Sequence, residues 1–296
     1  VWLLEVGPSL REWYGTGEFP LRKIGVVIRN ADGSKKGIAP DTFCKVTDTK
    51  YTFTAGEEMT MPEGTQYGIN YSGNSVTLAL YEENASGESY DFAYVIGDFS
   101  QWKPDENYKM YRDPASKCWW YTFDNVEAGK EHMFQYYLGN DETAVRIQDP
   151  FSELIYDEDN DKHIPSSSYP DIWQAPEGVS GLVSVFQTPG TAYQWEVTDF
   201  EIEDKDDLII YELLLRDFTD NGGKEGNLSL AMQKLDYLQN LGVNAIELMP
   251  VQEFDGNDGW GYSPNSFFAL DKAYGTREDY KKFIDECHKR NIAVFF

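Results

Sequence analysis

Basic residues are scarce in this chain. Lysine and arginine number 25 against 51 aspartates and glutamates, leaving a net charge of −26 over 296 residues. Such a field repels phosphate backbones and argues against nucleic acid as a partner; an acidic, solubilising surface accounts for it. Cysteine is also rare. Cys44, Cys118 and Cys287 are odd in number and far apart, which gives neither a disulfide framework nor metal-ligand spacing. Cys287 continues an apolar helical face and reads as a small buried hydrophobe. His132, His163 and His288 show no ligand spacing with one another or with the cysteines. No run approaches the roughly 18 apolar residues of a membrane helix, so no membrane span is expected in this chain. A signal peptide and an initiator methionine are both missing. Val1-Trp2-Leu3-Leu4 reads as the middle of a strand, so a trimmed N-terminus is expected and the compartment is not legible.

Aromatic residues are abundant instead, 15% of the chain with 8 Trp and 20 Tyr. Flat rings match the apolar faces of sugars, but they also build β-sandwich cores, and composition does not separate the two. The length suits about two domains. Residues 1–70 alternate short β-like runs (2–6, 24–29, 43–46, 51–54) with turn clusters, as in part of a β-sandwich module. Residues 71–200 carry strands expected at 76–81, 92–96, 109–111, 119–123, 133–138 and 145–147, a complete small immunoglobulin-like sandwich followed by a connector. The connector, 157–181, is rich in Asp, Ser, Pro and Gly, and no packed element is assigned to it. Runs at 181–186 and 193–197 could each add a strand before the acidic 201–207.

Residues 201–296 change character. The near-continuous apolar run 208–218 predicts a buried strand, and 243–251 a second; 291–296 is a third. Amphipathic stretches at 226–242 and 276–290 separate them. Leu228, Ala231, Met232, Leu235, Leu238 and Leu241 fall on one helical face, with Asn227 as the cap and Gly242 just past the end. Thr276 through Asp279 forms a near match to a capping box, and Tyr280, Phe283, Ile284 and Cys287 form the inward stripe. Buried strands separated by helices mean parallel βαβ units. A closed (β/α)8 barrel needs roughly 250 residues. The expected fold class is therefore multidomain: N-terminal β-sandwich modules, then the first βαβαβ part of a truncated (β/α)8 TIM barrel.

The segments 211–219, 235–251 and 260–276, with the helix and strand that follow, resemble the opening of the catalytic barrel of the α-amylase family, glycoside hydrolase family 13. Upstream, 94–102 with 119–140 is similar to a family 48 carbohydrate-binding module. The first seventy residues, through 6–15 and 26–34, resemble a β-rich module seen ahead of such enzymes in Bacteroidetes-type glycan utilisation. The resemblance implies retaining chemistry at α-glucosidic bonds in starch, glycogen or maltooligosaccharides, with two reacting carboxyl groups about 5–5.5 Å apart. Every carboxyl position of the family pattern falls past Phe296, so no catalytic residue is expected within this chain, and residues 1–296 alone are expected to be inactive. The expected partner is an α-glucan polysaccharide or oligosaccharide. No cofactor is implied as required; calcium is a candidate ion for the full-length protein. Secretion, a periplasmic location or the cell surface is what the modules suggest.

One active-site position carries over. Tyr262 of Trp260-Gly261-Tyr262 matches the tyrosine that stacks on the sugar at the cleaved bond, and Trp260 is either a sugar contact or a structural plug. In the sandwich, Trp102 matches the ring that stacks on glucan in binding modules. Gln135 stands where a lysine usually helps, and 140–144 supplies no second tryptophan, so a bracing module is the favoured reading. Trp119 and Trp120 should point to opposite faces of their strand, one into the core and the other exposed or at an interface. Arg216-Asp217 and Glu247 read as structural charges rather than an acid pair, and 253–259 as a solvated turn rather than a calcium loop. Two alternatives remain open: a non-catalytic glycan-binding protein with a degenerate barrel, and an α-glucan transferase such as a branching enzyme.

Overall fold

The computed structural model describes residues 53–83, 87, 89–140, 144–176, 179–188, 190–220 and 226–296, together with the backbone of 23–26 and 42–45. The latter two pair as an antiparallel hairpin, β1 (Lys23–Val26) with β2 (Thr42–Lys45). The strand expected at 2–6 and most of the region resembling the Bacteroidetes-type module lie outside the described residues. Contacts divide the chain into two compact units. One comprises Val1–Val126, His132–Asp149 and Pro176–Ser180; the other comprises Glu127–Glu131, Pro150–Ala175 and Gly181–Phe296.

Besides that hairpin, the described residues of the first unit form two antiparallel sheets. One runs β3 (Gly68–Ser72), β4 (Ser75–Tyr81), then β7 (Cys118–Phe123) and β6 (Tyr111–Asp113). In the other, β5 (Phe92–Gly97) pairs with β8 (Glu131–Gly139), which pairs with β9 (Ala144–Ile147). Of the two places expected for the second ring of the Trp119-Trp120 pair, exposed or at an interface, the structure takes the interface. Both are buried, because residues 53–61 cover the sheets. Phe53 stacks on Phe92 at 4.3 Å, and the Trp120 indole donates to the Met59 carbonyl at 2.9 Å. A Cβ on Gly56 would fall 2.1 Å from the Trp119 ring, so only glycine allows that approach.

The second unit begins with the antiparallel pair β10 (Ile155–Asp157) and β11 (Leu182–Gln187). The connector is more ordered than its composition suggests. It ends β10, and it buries Asp161 and Ser168. No strand forms at 193–197; there the amides of Glu196 and Val197 donate to the Asp285 carboxylate instead of to a sheet.

The parallel sheet then forms in chain order: β12 (Ile210–Leu213), β13 (Ala245–Leu248) and β14 (Ala293–Phe295). The first strand is shorter than the apolar run 208–218 predicts. The amides of Asp217 and Phe218 bond back to the Leu214 carbonyl, closing a one-turn helix, α1 (Leu215–Phe218). The first crossover is likewise two helices, α2 (Leu228–Met232) and α3 (Leu235–Leu241). Between them the amides of Gln233 and Lys234 reach only three residues back, to Leu230 and Ala231. That overwinding turns Leu241 off the buried face, to 58% exposure. The caps are those the sequence implies: Asn227 accepts from the Leu230 amide, and Gly242 takes φ +89°. α4 (Arg277–His288) opens with a full capping box between Thr276 and Asp279. Leu213, Ile246 and Leu248 of the sheet share one apolar core with Leu235, Leu238, Phe283 and Cys287 of the helices. Glu212 and Glu247 lie opposite each other on the exposed face. Among the described residues no helix is long and apolar enough to cross a membrane.

Candidate functional site

The chain between β13 and α4 doubles back on itself to form an arm. At its base the Asp271 amide donates to the Val251 carbonyl at 2.8 Å and the Glu253 amide to that of Ala269 at 2.9 Å. Further out, the Asp255 amide donates to the Ser263 carbonyl at 3.1 Å. The tip, Gly256 to Tyr262, carries the residues singled out in sequence. Trp260 and Tyr262 are 62% and 65% exposed. They border an open hollow of about 380 Å³ with Phe254 and Asp255. Gly261 between them sits at φ +87°, and a Cβ there would meet the Pro250 carbonyl oxygen at 2.3 Å. The turn that presents both rings thus requires glycine.

Two groups hold this arm, one misread from sequence and one read there only as a structural charge. The first is Glu253, read as part of a solvated turn but buried here and ion-paired with Lys272. Lys272 also lies 3.2 Å from Asp161 of the connector. Burial pushes the Glu253 and Asp161 carboxyls up, and the Lys272 ammonium opposes it. Burial would lower Lys272, but the surrounding carboxylates, Glu253 first, raise it instead. The second group is Arg216. It chelates the Asp217 carboxylate through Nε and Nη2, at 2.7 and 3.2 Å, and its Nη1 donates to the carbonyls of Asp258 and Gly259. A deeper cavity of about 530 Å³ lies beside it, lined in part by His163, Ser168, Asn257 and Tyr274. The Arg216–Asp217 pair is the structural charge read from sequence; no sequence pattern marks its reach to Asp258 and Gly259 or the Glu253–Lys272–Asp161 group, which join residues remote in the chain.

The remaining expected residues do not join this site. Trp102 is 7% exposed. It and Gln101 both take positive φ, and its amide donates to the Gly97 carbonyl at 2.9 Å. The turn folds the ring inward and leaves little of either face for a sugar. Gln135 is buried and donates to the Ser180 carbonyl. Glu247 is exposed with no resolved link to the arm. His132 lies 3.2 Å from Asp98 and His288 stacks flat on Phe200. Cys118 and Cys287 are buried free thiols. In the 253–259 stretch Glu253 is paired with Lys272, and among the described residues no group of three or more His, Cys, Asp or Glu side chains could hold a metal ion.

A parallel βαβαβ sheet with an aromatic-tipped arm after its second strand belongs to the α/β-barrel class. Residues 210–296 match the family model described as alpha amylase, catalytic domain. The chain is 31% identical to a malto-oligosyltrehalose trehalohydrolase of Rhizobium sp. over 67% of its own length and 31% of that protein's. It is 29% identical to a 1,4-alpha-glucan branching enzyme of Rhodospirillum rubrum, over 73% and 27%. Among solved structures it superimposes on the Group B Streptococcus pullulanase SAP in complex with maltotetraose with a TM-score of 0.57. That match has 23% identity and covers 78% of this chain and 33% of that one. The chain therefore spans about a third or less of the proteins it matches.

Proposed function

We propose that the protein is a retaining α-glucan-active glycoside hydrolase acting on starch, glycogen or maltooligosaccharides, with Tyr262 stacking on the sugar at the cleaved bond. The observation that carries this reading is the Trp260-Gly261-Tyr262 turn. It holds an exposed tyrosine ring over an open hollow, on the βα side of a parallel sheet, where barrel enzymes gather their sites. The ring supplies the apolar contact a pyranose face needs, and Trp260 widens that contact. The reacting carboxyl groups come from sequence outside residues 1–296. The partner is an α-glucan, and the β-rich module that precedes the barrel in sequence has a structural rather than a glucan-binding role.

The test uses the full-length protein and residues 1–296 side by side on amylose, glycogen and pullulan. Release of reducing ends by the full-length protein alone is expected. Replacing the ring, Tyr262→Ala, should lower kcat/KM roughly 30-fold or more, as truncation of a central aromatic contact does. Loss of iodine staining without new reducing ends would replace hydrolysis by branching transfer. Binding of α-glucan without any turnover would replace it by a glycan-binding role. Activity in residues 1–296 alone would contradict the placement of the acids.

A further inference from the structure

We propose that Arg216 is a positioning residue for the Tyr262 ring, acting through the backbone of the arm; this rests on the reading of Tyr262 as the substrate-stacking ring. The Arg216 guanidinium is nearly sealed from solvent, and its geometry is fixed on two sides. On one side Asp217 accepts from Nε at 2.7 Å and from Nη2 at 3.2 Å, which sets the plane of the guanidinium. On the other, Nη1 donates to two successive carbonyls, those of Asp258 and of Gly259, the latter at 3.1 Å. Those two peptide planes are the last before Trp260-Gly261-Tyr262.

The far side of the turn is pinned independently. Gly261 lies against the Pro250 carbonyl, and the Ser263 carbonyl accepts from the Asp255 amide. Residues 260–262 thus hang between two anchors, and few backbone torsions remain by which the tyrosine could shift. Gly226 presses close on the other side of this arginine, where a Cβ would meet the Leu215 and Arg216 carbonyl oxygens at 2.3 Å. The turn carrying Arg216 is therefore itself held in place. An ammonium is a point charge without a planar fork and could not hold both the carboxylate and the paired carbonyls at once. A cation kept only for stability would need Asp217 alone; its third nitrogen is committed to the arm.

The experiment is a double-mutant cycle in the full-length protein on a soluble maltooligosaccharide. Arg216→Lys, Tyr262→Ala and the double variant are compared with wild type for kcat and KM, with thermal unfolding recorded alongside. Arg216→Lys is expected to lower kcat/KM by roughly 10- to 100-fold, the scale of an ångström-level misplacement. The loss should divide between kcat and KM as it does in Tyr262→Ala. In the Tyr262→Ala background the same substitution should cost less than about twofold, because its route of action has gone. Losses that multiply independently would overturn the proposal, and so would an Arg216→Lys protein with unchanged kinetics. If Arg216→Lys does not fold, Asp217→Asn frees the same guanidinium from its carboxylate, and the cycle is repeated with the same two outcomes. Absence of α-glucan turnover in the wild type would defeat the reading of Tyr262 and this proposal together; multiplying losses in an active enzyme defeat this proposal alone.

Discussion

The Lys272 ammonium lies 3.2 Å from an Asp161 carboxylate oxygen, and both side chains are all but closed to solvent. Glu253 pairs with the same ammonium from the opposite strand of the arm, so one cation joins the arm's base to the connector. Removing it leaves two carboxylates buried without a counter-charge. Lys272→Met is therefore expected to destabilise the protein by roughly 3–5 kcal/mol. Urea unfolding of the full-length protein followed by near-ultraviolet circular dichroism measures this. A loss under about 1 kcal/mol would mean that the group is not a structural bolt.

The same cluster sets a pH dependence. Burial, and then the neighbouring Glu253 charge, push the Asp271 carboxyl well above the ordinary range, and one of its oxygens has no hydrogen-bond partner. The folded state thus holds a proton that the unfolded chain releases near pH about 4. The sign follows: this group's contribution to stability is fullest below that pH and is lost as pH rises toward the raised folded value. Asp161 and Glu253, also raised, act in the same direction. Asp271→Asn keeps an acceptor for the Ala273 amide, now bonded at 2.7 Å, and cannot ionise. It should be at least as stable as wild type at pH about 8, and its stability should vary less with pH between about 5 and 8. Unfolding midpoints across that range check it; parallel slopes in the two proteins would count against the assignment.

What the sequence disclosed was local. The cap of Asn227 on the Leu230 amide, Gly242 past the end of α3 and the Thr276–Asp279 box each involve residues within a turn of one another, where spacing and residue type suffice. The order strand, helix, strand was legible from the same periodicity. The split between α2 and α3 was not, because two shortened backbone bonds leave no mark in composition. Nor was the burial of both Trp119 and Trp120, since strand alternation tells which faces the rings take but not that residues 53–61 return to cover them. At the candidate site, Tyr262 and Trp260 stood out only through the family resemblance, which rests on a short contiguous segment. Arg216 was read as a structural charge, and its pair with Asp217 agrees, but its hold on the Asp258 and Gly259 carbonyls was not legible; Asp161 and Lys272 were missed because their partners come from other parts of the chain.

Gly261 and Gly259 sit two residues apart in the tip of the arm and predict opposite outcomes. At Gly259 the backbone is outside the left-handed region, and the nearest atom an added Cβ would meet is in the Phe254 ring, at 3.1 Å, with the Gly261 nitrogen at an ordinary 3.8 Å. A few tenths of an ångström of ring movement relieves that, so Gly259→Ala should alter stability and turnover little. Gly261 has φ +87°, and its added Cβ would lie 2.3 Å from a backbone oxygen of Pro250, which has no rotamer by which to yield. Gly261→Ala should therefore cost about 1–3 kcal/mol of local strain unless the turn opens. If the turn opens, Tyr262 moves with it, and kcat/KM should fall tenfold or more while the thermal transition of the fold stays near that of wild type. Measuring both variants for turnover and unfolding separates the cases. Equal, mild effects at the two glycines would mean that the backbone conformation at 261 does not govern where the tyrosine ring sits.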